Sequence, residues 1–249
     1  MFYINSYVQI ATMRLRYLLI VLVLAALASC ESNRFDNQIL HRDTHLTESM
    51  YEILGMLGEY ISRFDYGTGE PIPDLIEYFY PHETNHADRL ESLLKSHADM
   101  TGLKRDWRKE IGRQGHIYFY SSQWSRIINS FYIKVDRTTA TLDPTVFQQA
   151  SQSEMLRFIQ GVYVRYGNND KRSAIRMANA PYKIETIASV LKKLGCSDIV
   201  IFVLEYIPHS YQVHFNPSPI VIERLNIEQV ALKPDMSDIK DWRVHKRIN

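Results

Sequence analysis

Two histidines are the first residues whose types and spacing suggest chemistry. His82 and His86 stand four positions apart, and Glu83 directly follows the first of them. Residues four apart share one face of a helix, so the two imidazole rings can approach one point if this segment is helical. Imidazole is a common ligand of zinc. The sequence therefore offers one candidate metal site.

The segment His82-Glu83-Thr84-Asn85-His86 resembles the His-Glu-x-x-His signature of the zincin metallopeptidases. The resemblance implies that His82 and His86 bind zinc and that Glu83 is the general base acting on a metal-bound water. A chain with this site would be a zinc-dependent hydrolase.

Three features depart from the zincin pattern. Pro81 directly precedes the motif, Asp88 stands where an apolar residue is usual, and Ser92 stands where the longer pattern has a third histidine. A third ligand could come only from an unusual position such as Glu91 or His97. We therefore interpret the motif as a coincidence of composition and assign no catalytic residue, no metal ligand and no cofactor. Asn85 is instead expected to cap a helix that begins at His86.

A second pattern lies near the amino terminus. Arg14 and Arg16 precede an unbroken apolar run of 12 residues at positions 17–28. About 20 apolar residues are needed to cross a bilayer as a helix, so this run has the length of a signal-peptide core. The segment Leu27-Ala28-Ser29-Cys30 that ends it resembles the lipobox of bacterial lipoproteins.

The lipobox resemblance implies cleavage before Cys30 and acyl chains such as palmitate on its sulfur and its new amino group. Several acyl chains make a stable membrane anchor. We expect residues 1–29 to be a signal peptide, with 1–12 a start-site extension, and residues 30–45 to be a lipidated tether. The folded part is then expected in the cell envelope or periplasm, outside the cytoplasm and held to the inner or outer membrane.

The composition is that of an ordinary globular protein. Hydrophobic residues make up 45% and charged residues 23% of the 249 positions, and 29 basic side chains nearly balance 28 acidic ones. The near-zero balance gives no sign of a nucleic-acid partner, and we expect none. Cys196 is the only cysteine besides Cys30, so we expect a buried free thiol and no internal disulfide.

Hydrophobic periodicity predicts an α+β fold. Residues 46–112 are predicted to form a helical region, in which the segment 74–80 is a short helical turn. Residues 113–249 are predicted to form an antiparallel-sheet region with packed helices. There, the apolar run 199–204 is expected to be a strand covered on both faces, paired in a hairpin with 211–215. No internal repeat is evident.

Two aromatic clusters, Tyr78-Phe79-Tyr80 and Tyr118-Phe119-Tyr120, are interpreted as core because each lies in an apolar stretch. With an anchor and no convincing catalytic set, we predict a non-enzymatic envelope lipoprotein that binds a protein partner in a larger assembly. Two alternatives remain open: a zinc hydrolase that uses the motif at 82–86, and a carbohydrate or peptide binder that uses exposed tyrosines. No family is recognised for the folded part.

Overall fold

The structure, a computed structural model, describes residues 46–58, 74–112, 114–135, 140–168, 173–204 and 209–232, with the backbone alone for 168 and 226–232. All of them belong to one compact unit, residues 45–249. The predicted signal peptide, lipobox and tether lie outside the described residues, so lipidation of Cys30 and the envelope location stay predictions. No helix in the described ranges combines the length and the apolar character that crossing a bilayer requires.

The predicted α+β class is confirmed, and two segments of the chain repeat one order of elements, with one additional short strand in the second segment. The first segment contains α1 (Glu48–Met56), β1 (Leu75–Phe79), α2 (Thr84–Thr101), β2 (Arg108–Ile111), β3 (Ile117–Tyr120) and α3 (Ser122–Asn129). The hairpin β4 (Tyr132–Lys134) and β5 (Ala140–Leu142) follows, with a 3-10 turn at Pro144–Phe147. The second segment contains α4 (Gln152–Tyr166), β6 (Gly167–Asn168), β7 (Ser173–Ala178), α5 (Pro181–Lys193), β8 (Ser197–Leu204), β9 (Ser210–Asn216) and α6 (Pro219–Leu232).

The two segments also pair their strands in the same way. Sheet 1 has the antiparallel order β1-β3-β2, and sheet 2 has the antiparallel order β6-β7-β9-β8. In each sheet the strand before the second helix pairs with the last strand, which in turn pairs with the strand between them. The chain therefore contains an internal structural repeat, which the sequence pattern does not reveal.

The repeats meet where α1 packs against α4. A Cβ atom on Gly55 would overlap the Phe158 carbonyl oxygen, three residues before Gly161, and a Cβ atom on Gly161 would overlap the Glu52 carbonyl oxygen, three residues before Gly55. Reciprocal contacts, in which each glycine approaches the residue three positions before the other glycine, are typical of two elements related by a two-fold axis. An approximate two-fold axis thus passes between these glycines and relates the two repeats.

Local sequence signals explain where several helices begin. Thr47 caps α1 by accepting a hydrogen bond from the Met50 N–H group. Ser151 and Glu154 form a reciprocal capping box at the start of α4. Pro181 occupies the first turn of α5, where the missing N–H group costs nothing.

Two parts of the predicted arrangement change. The segment 74–80 is strand β1 rather than a helical turn, because Tyr78 and Phe79 find cross-strand partners on β3 that no local pattern reveals. With β2, it places two strands inside the region 46–112. Strand β8 pairs with β9 as predicted, yet it lies at the edge of sheet 2 with Ile201 40% and Val203 54% exposed, so it is not covered on both faces. Cys196 is buried and unpaired, as expected.

Candidate functional site

The carboxyl ends of α1 and α4 converge on a buried cluster of charges around Arg165. Its Nε donates to Glu83 Oε1 at 3.1 Å, and its Nη1 lies 3.5 Å from Glu77 Oε2. Its Nη1 and Nη2 donate to the carbonyl oxygens of Met56 and Tyr78, each at 3.0 Å. Only 6% of the Arg165 side chain is exposed. Arg165 therefore joins the end of α1 to the first strand of sheet 1.

The Glu83 carboxylate of this cluster is held ionised. Burial opposes ionisation of Glu83, but the nearby His86 ring and the charge and hydrogen bonds of Arg165 outweigh it and lower the pKa of Glu83 to about 2. Burial also disfavours the charged guanidinium, yet Tyr166, Glu77 and Glu83 hold the pKa of Arg165 above its usual value. The buried Arg165 cation is therefore a structural contact between α4 and the first strand of sheet 1.

A second buried cation completes the end of α1. The Lys183 Nζ donates to the carbonyl oxygens of Leu54 and Gly55 at 2.8 and 3.0 Å, and also to that of Leu57. These carbonyls lie in the last turn of the helix, where they lack partners within it. Lys183 belongs to α5 of the second repeat, so it ties that repeat to the first.

The residues of the zincin-like motif take up different roles. His82 lies outside α2 and stacks on Tyr80, with ring centroids 5.7 Å apart and planes within 8°. Glu83 binds Arg165 and accepts the Tyr80 N–H group at 2.8 Å, and His86 Nδ1 lies 3.7 Å from Glu83 Oε1. Helix α2 begins at Thr84 without a side-chain cap, so the cap expected from Asn85 is wrong. No group of three His, Cys, Asp or Glu in the described ranges could hold a metal ion.

Sheet 1 presents an aromatic face away from the core. Phe79, Ile117 and Phe119 point inward and are buried, so alternation turns Tyr78, Tyr118 and their strand neighbours to the opposite, open face. Tyr78 and Tyr118 are cross-strand partners with ring centroids 6.0 Å apart. The two aromatic clusters are therefore core only at their central phenylalanines, and the expectation that the tyrosines are core is wrong.

The rings of this face are aligned with one another. Tyr118 and Tyr120 lie with centroids 5.9 Å apart and planes within 12°. His116 approaches Tyr80 to 5.3 Å, and Tyr80 is 46% exposed. Arg108 lies over the Tyr120 ring at 5.7 Å and pairs with Glu110 at 2.9 Å. We call this set the tyrosine face: Tyr78, Tyr80, Tyr118, Tyr120 and His116.

The open face of sheet 2 is polar on β7 and β9, whereas β8 adds exposed apolar side chains such as Phe202. Buried Ile175 and Met177 alternate with exposed Arg176, which is the cross-strand partner of Gln212. Gln212 faces Phe202 on its other side, so Arg176, Gln212 and Phe202 form one row across three strands. His214 packs against Phe202 at 4.9 Å between centroids, and its Nε2 lies 3.1 Å from Gln212 Oε1. We call these four residues the polar row.

Both sheets adjoin the carboxyl end of α4. Arg165, in the last turn of α4, donates to the Tyr78 carbonyl of β1 in sheet 1. Strand β6 of sheet 2 begins at Gly167, two residues further along the chain. The approximate two-fold axis between α1 and α4 makes the tyrosine face and the polar row equivalent surfaces of the two repeats.

No protein-family model and no curated protein matches this sequence. Solved structures of the homing endonuclease I-DmoI are similar to the chain. One, of a variant with its target DNA and magnesium, has a TM-score of 0.49 and 16% identity over 76% of this chain and 96% of that one. Another, with DNA and calcium, has a TM-score of 0.47 and 13% identity over 74% and 88%. A third structure, from work on mesophilic variants of I-DmoI, has a TM-score of 0.48 and 17% identity over 75% of this chain and 89% of that one.

Three expectations drawn from the sequence differ from what these similar structures are. The similar structures are of a nuclease, several of them bound to DNA, whereas we expected a non-enzymatic subunit of an envelope assembly. We also expected a lipoprotein of the membrane or periplasm and no nucleic-acid partner, whereas the similar structures include complexes with DNA.

Proposed function

We propose that this chain binds nucleic acid across the open faces of its two sheets. The observation that carries the proposal is the polar row of sheet 2. Arginine and glutamine are the side chains that make paired hydrogen bonds to guanine and adenine in the major groove, and antiparallel strands fit into that groove. Arg176 and Gln212 stand directly opposite each other on neighbouring strands. Sheet 2 therefore presents base-reading chemistry to a duplex.

The spacing along a strand supports this reading of a duplex. Alternate residues of one strand are about 6.8 Å apart, because each residue advances about 3.4 Å. Base pairs along one strand of DNA also advance about 3.4 Å each. Gln212 and His214, two residues apart on β9 and on the same face, can thus meet bases two steps apart.

The internal repeat supports a binding surface that includes both sheets. Proteins with two-fold symmetry bind nucleic acids at two half-sites that mirror that symmetry. Here the approximate axis between Gly55 and Gly161 places a second open face beside the first. Both repeats belong to one chain, so their faces are free to differ, and the two half-sites recognised are expected to be unequal.

The low net charge favours binding that depends on contacts with bases rather than on attraction to phosphates. The formal net charge of +1 provides little of the phosphate attraction that drives non-specific association. Binding should therefore depend on base contacts and on finding the right sequence. The test is selection of ligands from a random duplex DNA library with the full chain, followed by fluorescence anisotropy on the enriched sequence.

We expect the wild-type chain to enrich one sequence. Arg176→Ala and Gln212→Ala should each bind that sequence more weakly, on the order of tenfold or more. Arg126→Ala is the matched control, since Arg126 is an exposed arginine on α3 outside both sheets. It should bind as the wild type does. Absence of enrichment, or wild-type affinity in both sheet 2 variants, would contradict the proposal.

A further inference from the structure

The two open faces differ in chemistry although the fold makes them equivalent. The row on sheet 2 runs Arg176, Gln212, Phe202 across β7, β9 and β8. At the corresponding strands β1, β3 and β2, sheet 1 has the row Tyr78, Tyr118, Glu110. At the first two positions, hydrogen-bonding side chains of sheet 2 thus stand where aromatic rings of sheet 1 stand, whereas at the third position Phe202 of sheet 2 corresponds to Glu110 of sheet 1. One type of ligand structure does not suit both.

The tyrosine face is poorly suited to a duplex. Arg108, the cation beside it, is paired with Glu110, so the two charges offset each other and offer little to a phosphate backbone. Bases inside a duplex are stacked on their neighbours and show only their edges in the grooves. A tyrosine ring can reach the face of a base only where that base is unpaired.

The geometry of the same face suits unpaired bases. Tyr118 and Tyr120 are nearly parallel, Tyr78 is within 29° of Tyr118, and Tyr80 is stacked on His82 and almost half exposed. Aligned rings on a sheet form a platform on which successive bases stack whatever their sequence, since every base has a π-face. Arg108 over the Tyr120 ring extends this platform by a second planar group.

We propose that the preferred ligand joins a duplex to an unpaired segment, with the duplex on the polar row of sheet 2 and the unpaired bases stacked on the tyrosine face. This inference rests on the proposed function. Both DNA and RNA can supply such a junction, as a tailed duplex or as a stem with a loop, and the stacking chemistry is common to them.

The test compares three labelled probes with the full chain by fluorescence anisotropy: a blunt duplex, the same duplex with an unpaired pyrimidine tail, and the tail alone, each as DNA and as RNA. The duplex carries the sequence enriched by selection. We expect the tailed duplex to bind about tenfold or more tighter than the blunt duplex. The sugar that gives the larger gain identifies the source of the ligand.

Variants assign the gain to the tyrosine face. The double variant Tyr118→Ala, Tyr120→Ala should lose the gain from the tail and keep the affinity for the blunt duplex, whereas Tyr118→Phe, Tyr120→Phe should keep both. Tyr182→Ala is the control, because Tyr182 is an exposed tyrosine on α5. Circular dichroism melting of each variant verifies that it is folded.

The outcomes separate the two proposals. Equal binding of blunt and tailed duplexes overturns the junction while leaving nucleic-acid binding intact. Binding of no probe overturns both. Binding of the tail alone as tightly as the tailed duplex assigns the ligand to single strands and overturns the junction. Displacement of the tail by a soluble polysaccharide assigns the tyrosines to sugar rings and overturns it as well.

Discussion

Gly55 and Gly161 face each other where α1 crosses α4, and neither position has room for a Cβ atom. A Cβ on Gly55 would stand 2.8 Å from the Val162 nitrogen, and one on Gly161 would stand 3.1 Å from the Met56 nitrogen. Val162 and Met56 each follow the opposing glycine directly. This reciprocity fixes the approximate two-fold axis, and with it the relation between the two open sheet faces.

The glycine crossing gives the first prediction. Gly55→Ala and Gly161→Ala should each lower the free energy of unfolding by more than about 3 kcal/mol, because the methyl group meets backbone that cannot move aside. Gly58→Ala is the matched control, since its Cβ would find only side-chain atoms at 3.6 and 3.8 Å. It should change stability by less than about 1 kcal/mol. Urea unfolding followed by circular dichroism measures all three; wild-type stability of Gly55→Ala would refute the crossing.

The Arg165 cluster gives the second prediction. Arg165→Met should lower the free energy of unfolding by about 3–5 kcal/mol, because it leaves Glu77 and Glu83 buried without their cation. Arg105→Met removes an arginine from a surface pair with Asp99 and should cost about 1 kcal/mol or less. Thermal melting monitored by circular dichroism compares the two variants. Equal melting temperatures would show that the buried pairing is not structurally important.

The lowered pKa of Glu83 gives the third prediction. Its carboxyl has a pKa of about 2 in the folded chain against an ordinary value of 4.5, so it stabilises the fold above about pH 4.5. That contribution is lost as the pH falls toward 2. The free energy of unfolding should therefore fall more steeply between pH 4.5 and 2 in the wild type than in Glu83→Gln.

The control for this titration is Glu185→Gln, which removes an exposed carboxyl from α5. Its stability should follow the wild-type dependence on pH throughout the acid range. Urea unfolding at a series of pH values provides the measurement. Parallel curves for the wild type and Glu83→Gln would contradict the assignment of an ionised, buried Glu83.

Much of the fold follows from local sequence signals. The capping residues Ser151 and Glu154, Pro181 and the alternating strand 211–215 mark elements that the structure contains. Local signals do not show which distant elements contact each other. Helix α4 and strand β1 meet through Arg165 and Glu77, which are 88 positions apart in the sequence, and no pattern near either residue indicates the other.

One feature of the candidate site, the tyrosine face, could have been predicted from the sequence. In Tyr78-Phe79-Tyr80 and Tyr118-Phe119-Tyr120, a period of two places both tyrosines on the face opposite the phenylalanine. Hydrophobicity alone predicts that all three residues of each cluster lie in the core. Strand β8 shows the reverse error, because its continuous apolar run suggested a covered strand although an edge position leaves Phe202 44% exposed.

Photochemical crosslinking tests nucleic-acid binding on the open sheet faces most directly. The full chain is irradiated with the selected ligand carrying 5-iodouracil, and the linked residues are identified by mass spectrometry. We predict crosslinks to the tyrosine face at Tyr118 or Tyr120 and to the polar row at Phe202 or His214. Crosslinks confined to the outer helices, for example at Tyr182 of α5, would contradict the proposed binding surface.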